Sequence, residues 1–294
     1  MNEIFIKEIK EINKNIINLN ASLKNLNTMK LDGEAKYLIK PTSFIELKRV
    51  LNIMKKYNVK YHVIGNGSNI IFTSKIKECL IKLNFNKHID DRIVFANELV
   101  PIKANDFYNK GYEGLEYLSM IPASFGGAIY MNASSYNHSI SDIIEFVYYL
   151  DEDLKFRVIR KEECLFSYRK SLFKNSHIII LGCKVRLIKK DKVKIKKIMD
   201  ECKNKRKETQ PIEYPSSGSI FQNGKSYKAW ELIDKANLKG YKSNGAMISD
   251  KHCNFIVNYS NASYNDVIYL INLIENKVKK SFGITLEREI IILD

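Results

Sequence analysis

Apolar residues recur at helical spacing at Phe5, Ile9, Ile12 and Ile16, which predicts an amphipathic first helix over residues 3–19. Asn20 and Asn27 bracket a loop, and Met29 to Pro41 reads as a strand ended by the proline. Ser43-Phe-Ile-Glu46 has the form of a capping box. It opens a helix whose Leu47, Val50, Leu51 and Met54 make one apolar face and which ends near Asn58. Val59 to Ile64 reads as the next strand, so the first segment is β-α-β. A glycine-bearing loop, Gly65-Asn-Gly-Ser-Asn69, follows at once and leads into apolar Ile70-Ile-Phe-Thr73.

Short strands are predicted at Leu80–Leu83 and Arg92–Ala96. Pro101 starts a helix through Asn109, with Gly111 just past its end. Ile143–Leu150, Leu154–Ile159 and Ile178–Ile188 alternate or run apolar as strands. Ile195, Ile198, Met199 and Cys202 form a stripe on a helix over residues 189–207, whose outer face is basic. A helix over 226–238 turns Ala229, Leu232, Ile233 and Ala236 inward and closes at Gly240. Cys253–Tyr259 reads as a strand. Ser263 caps a helix carrying Val267, Leu270, Ile271, Ile274 and Val278, ended by Gly283, and Ile284–Leu293 reads as a last strand. The C-terminal part is therefore β-α-β-α-β.

A chain of 294 residues has room for two or three domains, and 45% hydrophobic content marks it as globular. No uninterrupted apolar run would span a bilayer, and the charged N-terminus lacks the core of a signal peptide. The expected location is the cytoplasm, with no membrane partner. Cys79, Cys164, Cys183, Cys202 and Cys253 are odd in number and lie far apart, which fits reduced core thiols. His62, His88, His138, His177 and His252 show no metal-ligand spacing, so no metal is expected. The net charge of +15 suits nucleic acid or an anionic small molecule. It comes mostly from lysine in a Lys-, Asn- and Ile-rich chain, and no nucleic-acid-binding motif accompanies it.

Five places carry candidate chemistry. Gly114 to Ala133 is nearly free of charge and holds Pro122, Ser124 and the pair Gly126-Gly127. Such a segment is either a tight turn between buried strands or a stretch whose main-chain N–H groups approach a ligand. The loop Gly65–Asn69 is either a hairpin turn or an anion-binding nest. The Rossmann fingerprint and the Walker A continuation are both absent from it. Tyr168-Arg169 is a polar pair among apolar neighbours, so the arginine holds a structural carboxylate or awaits an anionic ligand. Ser219 follows Gly218 without a nucleophile-elbow motif, which favours a proton donor or ligand contact over a nucleophile. Glu289, in phase with Glu287, is either exposed at a strand end or turned into a site.

Together, six segments in order resemble the UDP-N-acetylenolpyruvoylglucosamine reductase family. They are Gly65–Asn69, Ile121–Ala133, Tyr168–Ser171, Ser217–Asn223, His252–Ile256 and Leu286–Ile290. The resemblance covers about Met29 to Leu293 and implies an α+β fold. A two-part FAD-binding domain of the vanillyl-alcohol-oxidase (PCMH) type is followed by a smaller α+β substrate-binding domain. The implied boundaries are an N-terminal helix to residue 28, the FAD-binding domain at 29–190 (subdomains about 29–72 and 73–190), a linker helix at 191–210 and the C-terminal domain at 211–294.

The implied chemistry is reduction of FAD by NADPH, then of the vinyl group of a UDP-sugar enolpyruvyl ether. By resemblance the cofactor-binding residues are Gly65, Asn66, Gly67, Ser68, Asn69, Ser124, Gly126, Gly127 and Asn132. The substrate-binding residues are Tyr168, Gln222 and Asn223. Ser219 is the implied proton donor, with Arg169 and Glu289 the implied stabilisers of the carboxylate-enolate. A monomer is expected. Ala123 stands where the family usually has glycine, Ser134-Ser-Tyr-Asn137 replaces a more glycine-rich run, and Asn244 precedes Gly245 where a second glycine is common. The short connection from Phe173 to Ile178 points to the shorter form of the family, without the tyrosine-loop insert. Two alternatives are another FAD-dependent oxidoreductase of the same fold and a basic nucleic-acid-binding protein.

Overall fold

The structure, a computed structural model, describes residues 3–86 and 90–294. His88 lies outside the described residues. Helix α1 (Glu3–Ile12) is followed by strands β1 (Ile17–Ser22) and β2 (Glu34–Ile39), helix α2 (Phe44–Lys56) and strands β3 (Tyr61–Ile64), β4 (Ile70–Phe72), β5 (Lys75–Lys82) and β6 (Ile93–Phe95). Then come helix α3 (Val100–Lys110), strand β7 (Tyr112–Glu113), helix α4 (Phe125–Met131) and the hairpin β8 (Ser134–Ser135) and β9 (His138–Ser139). Strands β10 (Ile144–Leu150), β11 (Phe156–Arg160), β12 (Ile179–Val185) and β13 (Ile188–Lys189) lead to helix α5 (Lys192–Thr209). The remainder is β14 (Ser216–Ser219), α6 (Ala229–Lys235), β15 (Lys242–Ser243), β16 (Ala246–Ile248), β17 (Phe255–Asn258), α7 (Tyr264–Phe282) and β18 (Ile291–Leu293).

Two compact units divide the chain. The first holds residues 1–19, 37–66 and 78–204, and the second holds 20–36, 67–77 and 205–294. In the first unit, β10 is central, antiparallel to β11 on one side and β12 on the other, and β12 pairs antiparallel with β6. Parallel pairing joins β3 to β5 from Tyr61 opposite Cys79 to Ile64 opposite Lys82. The apolar face of α2 (Leu47, Val50, Leu51, Met54) shares one buried core with Phe5, Ile9, Val147 and Cys183. In the second unit, the antiparallel sheet β14-β17-β16-β15 is packed by α7, whose Val267, Leu270, Ile271, Ile274 and Val278 are fully buried. Strand β18 lies outside that sheet and pairs in parallel with β4. The fold is α+β, as the resemblance implied.

Among the differences from the sequence reading, three elements show the physical reason most directly. The first helix stops at Ile12. Asn13 turns its side-chain Oδ1 onto the Asn15 N–H (3.0 Å), and its carbonyl takes the Ile16 N–H (3.1 Å). This local bonding competes with helix continuation, and the chain resumes as β1. The last strand begins at Ile291, not Ile284. Residues 287–289 are held irregularly beside Ile220–Gln222, with Gln222 N donating to Glu287 O (2.8 Å) and Glu289 N to Ile220 O (2.8 Å). The hairpin β15–β16 was missed, although its Asn244-Gly245 turn is a strong local signal. A Cβ on Gly245 would come 2.2 Å from Ser260 O, so only glycine fits there.

Candidate functional site

In the first unit, three backbone bonds hold the start of α4. Phe125 N donates to Glu98 O (2.8 Å), Gly126 N to Ala96 O (2.8 Å) and Gly127 N to the N-cap Ser124 Oγ (3.3 Å). The Gly126 N–H is thus committed inside the chain, and a Cβ there would lie 2.9 Å from Ala96 Cβ. Gly65 closes against the same turn, since a Cβ on it would meet Ser124 Oγ at 2.3 Å. Asn66 anchors its side chain on Pro122 O (2.8 Å). Its own N–H donates to no group among the described residues.

Asn132 ends α4 in a left-handed conformation (φ +42°). Its Nδ2 donates to Ser167 O (3.0 Å), while its Oδ1 is buried with no hydrogen-bond partner among the described residues. A buried acceptor without a donor is costly unless a ligand supplies one.

The Asn132–Ser167 bond fastens the turn that presents Tyr168 and Arg169. Ser167 and Lys170 exchange backbone bonds of 3.1 Å each, so the two site residues are the tip of a tight turn. Arg169 sits at φ +56°, an unfavourable region for a residue with a side chain. Its Nη1 donates to Ser134 Oγ (2.8 Å), and its guanidinium lies 5.1 Å from the Tyr168 ring centre. Tyr168 itself is 50% exposed.

In the second unit, Gly67 (φ +66°) packs on the loop after β1. A Cβ there would stand 1.9 Å from Leu26 O. Buried Asn27 shapes that loop by bonding Leu23 O, Leu31 O and Leu31 N. The N–H groups of Gly67, Ser68 and Asn69 donate to nothing among the described residues. Asn69 spans to the C-terminal segment, its Nδ2 donating to Glu289 O (3.0 Å) and its carbonyl accepting from Ile291 N (3.0 Å).

Ser219 pairs with Phe255 across a bulge whose Gly218 has φ +77°. Bulges re-aim the side chain that follows, and Ser219 is left half-buried. The next residue, Ile220, accepts from Glu289 N, so this backbone bond brings half-buried Glu289, in the irregular segment before β18, beside the end of β14. Gln222 spends its amide on Glu287 Oε1 (3.0 Å) and Arg288 O (3.4 Å). Asn223 accepts from Ala229 N (3.0 Å), steadying the start of α6.

All five cysteines are buried and none is in a disulfide. Burial pushes the Cys79 and Cys164 thiols up to about 12, so neither is a ready thiolate. No acid, histidine and cysteine cluster suited to a metal occurs among the described residues. Burial also lowers the His252 pKa.

Free N–H groups and a buried orphan acceptor are groups that a bound nucleotide cofactor would satisfy. Residues 35–155 match the FAD binding domain family, and residues 210–293 match the family described as UDP-N-acetylenolpyruvoylglucosamine reductase, C-terminal domain. The reductase of Caldanaerobacter subterraneus subsp. tengcongensis is 36% identical, covering 100% of this chain and 99% of its own length. That of Bacillus subtilis is 36% identical, covering 99% and 98%. A crystal structure of the Thermus caldophilus enzyme aligns with TM-score 0.81 and 32% identity over 95% of this chain and 98% of that one. The chain belongs to the UDP-N-acetylenolpyruvoylglucosamine reductase family.

The residues fit FAD. In the second unit the N–H groups of Gly67, Ser68 and Asn69 suit phosphate oxygens, and in the first unit the Asn66 N–H suits the same and Asn132 Oδ1 suits a ring N–H. Sequence reasoning treated Ser134 only as a departure from a glycine-rich run. Its contact with Arg169 joins residues 35 apart in the chain, and no local signal could have shown it.

Proposed function

We propose that this protein catalyses the NADPH-dependent, FAD-mediated reduction of UDP-N-acetylglucosamine enolpyruvate to UDP-N-acetylmuramate, a step in peptidoglycan precursor synthesis. The observation that carries the reading is family membership across the full chain, covering both the FAD-binding and the C-terminal segments. FAD, when bound, takes hydride from NADPH and passes it to the vinyl carbon of the substrate.

The chain's residues supply the rest. The N–H groups of Asn66, Gly67, Ser68 and Asn69 hold the cofactor's phosphates, with Gly65 and Ser124 keeping that loop against α4. Gly126 serves by close packing, Gly127 lies in the same first turn, and Asn132 Oδ1 accepts from the ring system. Arg169 pairs its planar, permanently charged fork with the substrate carboxylate as negative charge grows there. Glu289 assists with its carboxyl protonated, since a second anion beside that carboxylate would oppose the reaction. Ser219 Oγ gives its proton to the carbon next to the carboxylate and is reprotonated from solvent. Tyr168, Gln222 and Asn223 line the substrate's approach. The protein acts as a cytoplasmic monomer without nucleic acid.

The test is the visible spectrum of the purified protein under anaerobic conditions. Flavin bands should bleach with NADPH and recover when the enolpyruvyl compound is added. Bands that bleach without recovering would point to a different flavin oxidoreductase. A colourless protein that also fails to take up FAD would overturn the reading.

A further inference from the structure

We propose that Ser134 is a positioning residue for Arg169. It would hold the guanidinium in the orientation needed for a carboxylate, and the inference rests on the role given to Arg169 above. A long arginine at the tip of a two-residue turn has many rotamers to lose on binding an anion. Fixing it beforehand removes that cost from the reaction step. The 2.8 Å bond from Nη1 to Ser134 Oγ engages one of the guanidinium's five donors and fixes the direction of that arm of the fork.

Ser134 can act this way because its own support is stiff. It lies opposite Ser139 in the β8–β9 hairpin. Tyr136 and Asn137, at the hairpin tip, have φ +51° and +63°. The Tyr136 hydroxyl donates to Cys202 O on α5 (3.1 Å), which holds that tip. On the other strand, His138 stacks on Tyr117 with ring centres 3.7 Å apart and planes 11° apart. The turn bearing Arg169 is tied to the same segment twice more, by Asn132 Nδ2 to Ser167 O and by Ser171 Oγ to Tyr130 O (2.7 Å). Lys174 Nζ also bonds the Arg169 carbonyl (3.2 Å). The backbone of the turn is therefore secured without Ser134, and the hydroxyl is left to orient the side chain.

The experiment compares Ser134→Ala, Ser134→Thr and Arg169→Gln holoenzymes. Stopped-flow absorbance follows flavin reduction by NADPH and reoxidation by the enolpyruvyl substrate separately. Binding of UDP-N-acetylmuramate to the oxidised enzyme is read from the shift of the flavin bands. Ser134→Ala should leave flavin reduction and Tm unchanged, slow reoxidation about tenfold and weaken product binding, the scale of one charge-assisted hydrogen bond. Ser134→Thr, which keeps the hydroxyl, should restore both to within about twofold of the parent. If Arg169→Gln is slow but Ser134→Ala reoxidises normally, the positioning role is wrong. If Arg169→Gln itself is normal, the role of Arg169 is wrong and the inference falls with it. Should Ser134→Ala fail to fold, Ser134→Gly removes the same hydroxyl and carries the same test. Parallel losses in flavin reduction and Tm would mark Ser134 as merely structural and overturn the proposal.

Discussion

Ser219 is the residue to which the proposed mechanism gives the proton transfer. An alcohol is a poor acid in water, so it can donate only to a strongly basic carbon in a site that excludes solvent. The Gly218 bulge sets its direction, and the backbone bond from Glu289 N to Ile220 O puts the acid on the adjoining segment. Replacing Ser219 by alanine removes one oxygen and leaves that backbone in place. Reduction of FAD by NADPH should then proceed at the parent rate, while reduction of the enolpyruvyl compound falls about 10²- to 10⁴-fold in single turnover. Normal turnover by Ser219→Ala would remove the serine from the mechanism. Asn132 belongs to the same scale. One half of its amide holds the arginine turn, and the other is a buried acceptor waiting for a donor.

At the scale of the element, α7 is the longest helix described and the main apolar cover of the C-terminal sheet. Its N-terminus carries a complete capping box. Ser263 Oγ accepts from Asp266 N (3.2 Å), and Asp266 Oδ2 accepts from Ser263 N (2.9 Å). Asn244 of the β15–β16 turn donates to the other Asp266 oxygen (2.6 Å), so the cap also ties hairpin to helix. Ser263→Ala should cost about 1 kcal/mol of stability, read as a lower urea midpoint with unchanged slope. A midpoint equal to the parent's would show that the cap is replaced by water at no cost. Helix α2 makes only half of its expected box. Ser43 Oγ takes the Glu46 N–H (3.2 Å), but Glu46 reaches back to Thr42 N (2.7 Å) rather than to Ser43.

For the whole molecule, the net charge of +15 is the dominant electrostatic fact. Among the described residues, no helix is long and apolar enough to cross a membrane. A cationic surface draws in a substrate carrying a diphosphate and a carboxylate, and salt screens that attraction over about 10 Å at 0.1 M. Raising ionic strength from about 20 to about 200 mM should therefore lower kcat/KM for the enolpyruvyl substrate several-fold, with kcat nearly constant. A salt-independent kcat/KM would mean that the excess lysine plays no part in encounter. The basic face of α5 contributes to this field through exposed residues such as Lys194, Lys197 and Lys203.

Much of the molecule was determined by the sequence alone, because the signals are local. The apolar faces of α2 and α7 and the glycine ends of α3 and α7 depend on neighbours within a turn or two. So did the family, through short motifs in a set order. Where local signals compete, the reading failed. Asn13 broke a helix that Ile16 seemed to extend, and pairing with Ile220–Gln222 cut the last strand short. Tertiary structure alone decided what the glycines and the arginine do. Gly126 proves to be a packing glycine because Ala96, thirty residues earlier, takes its N–H. The Arg169 guanidinium meets Ser134 across 35 residues of chain, and Asn132 becomes an unfilled acceptor only once burial strips it of water. Such facts arise from contacts between distant segments, and periodicity along the chain does not encode which distant groups will meet.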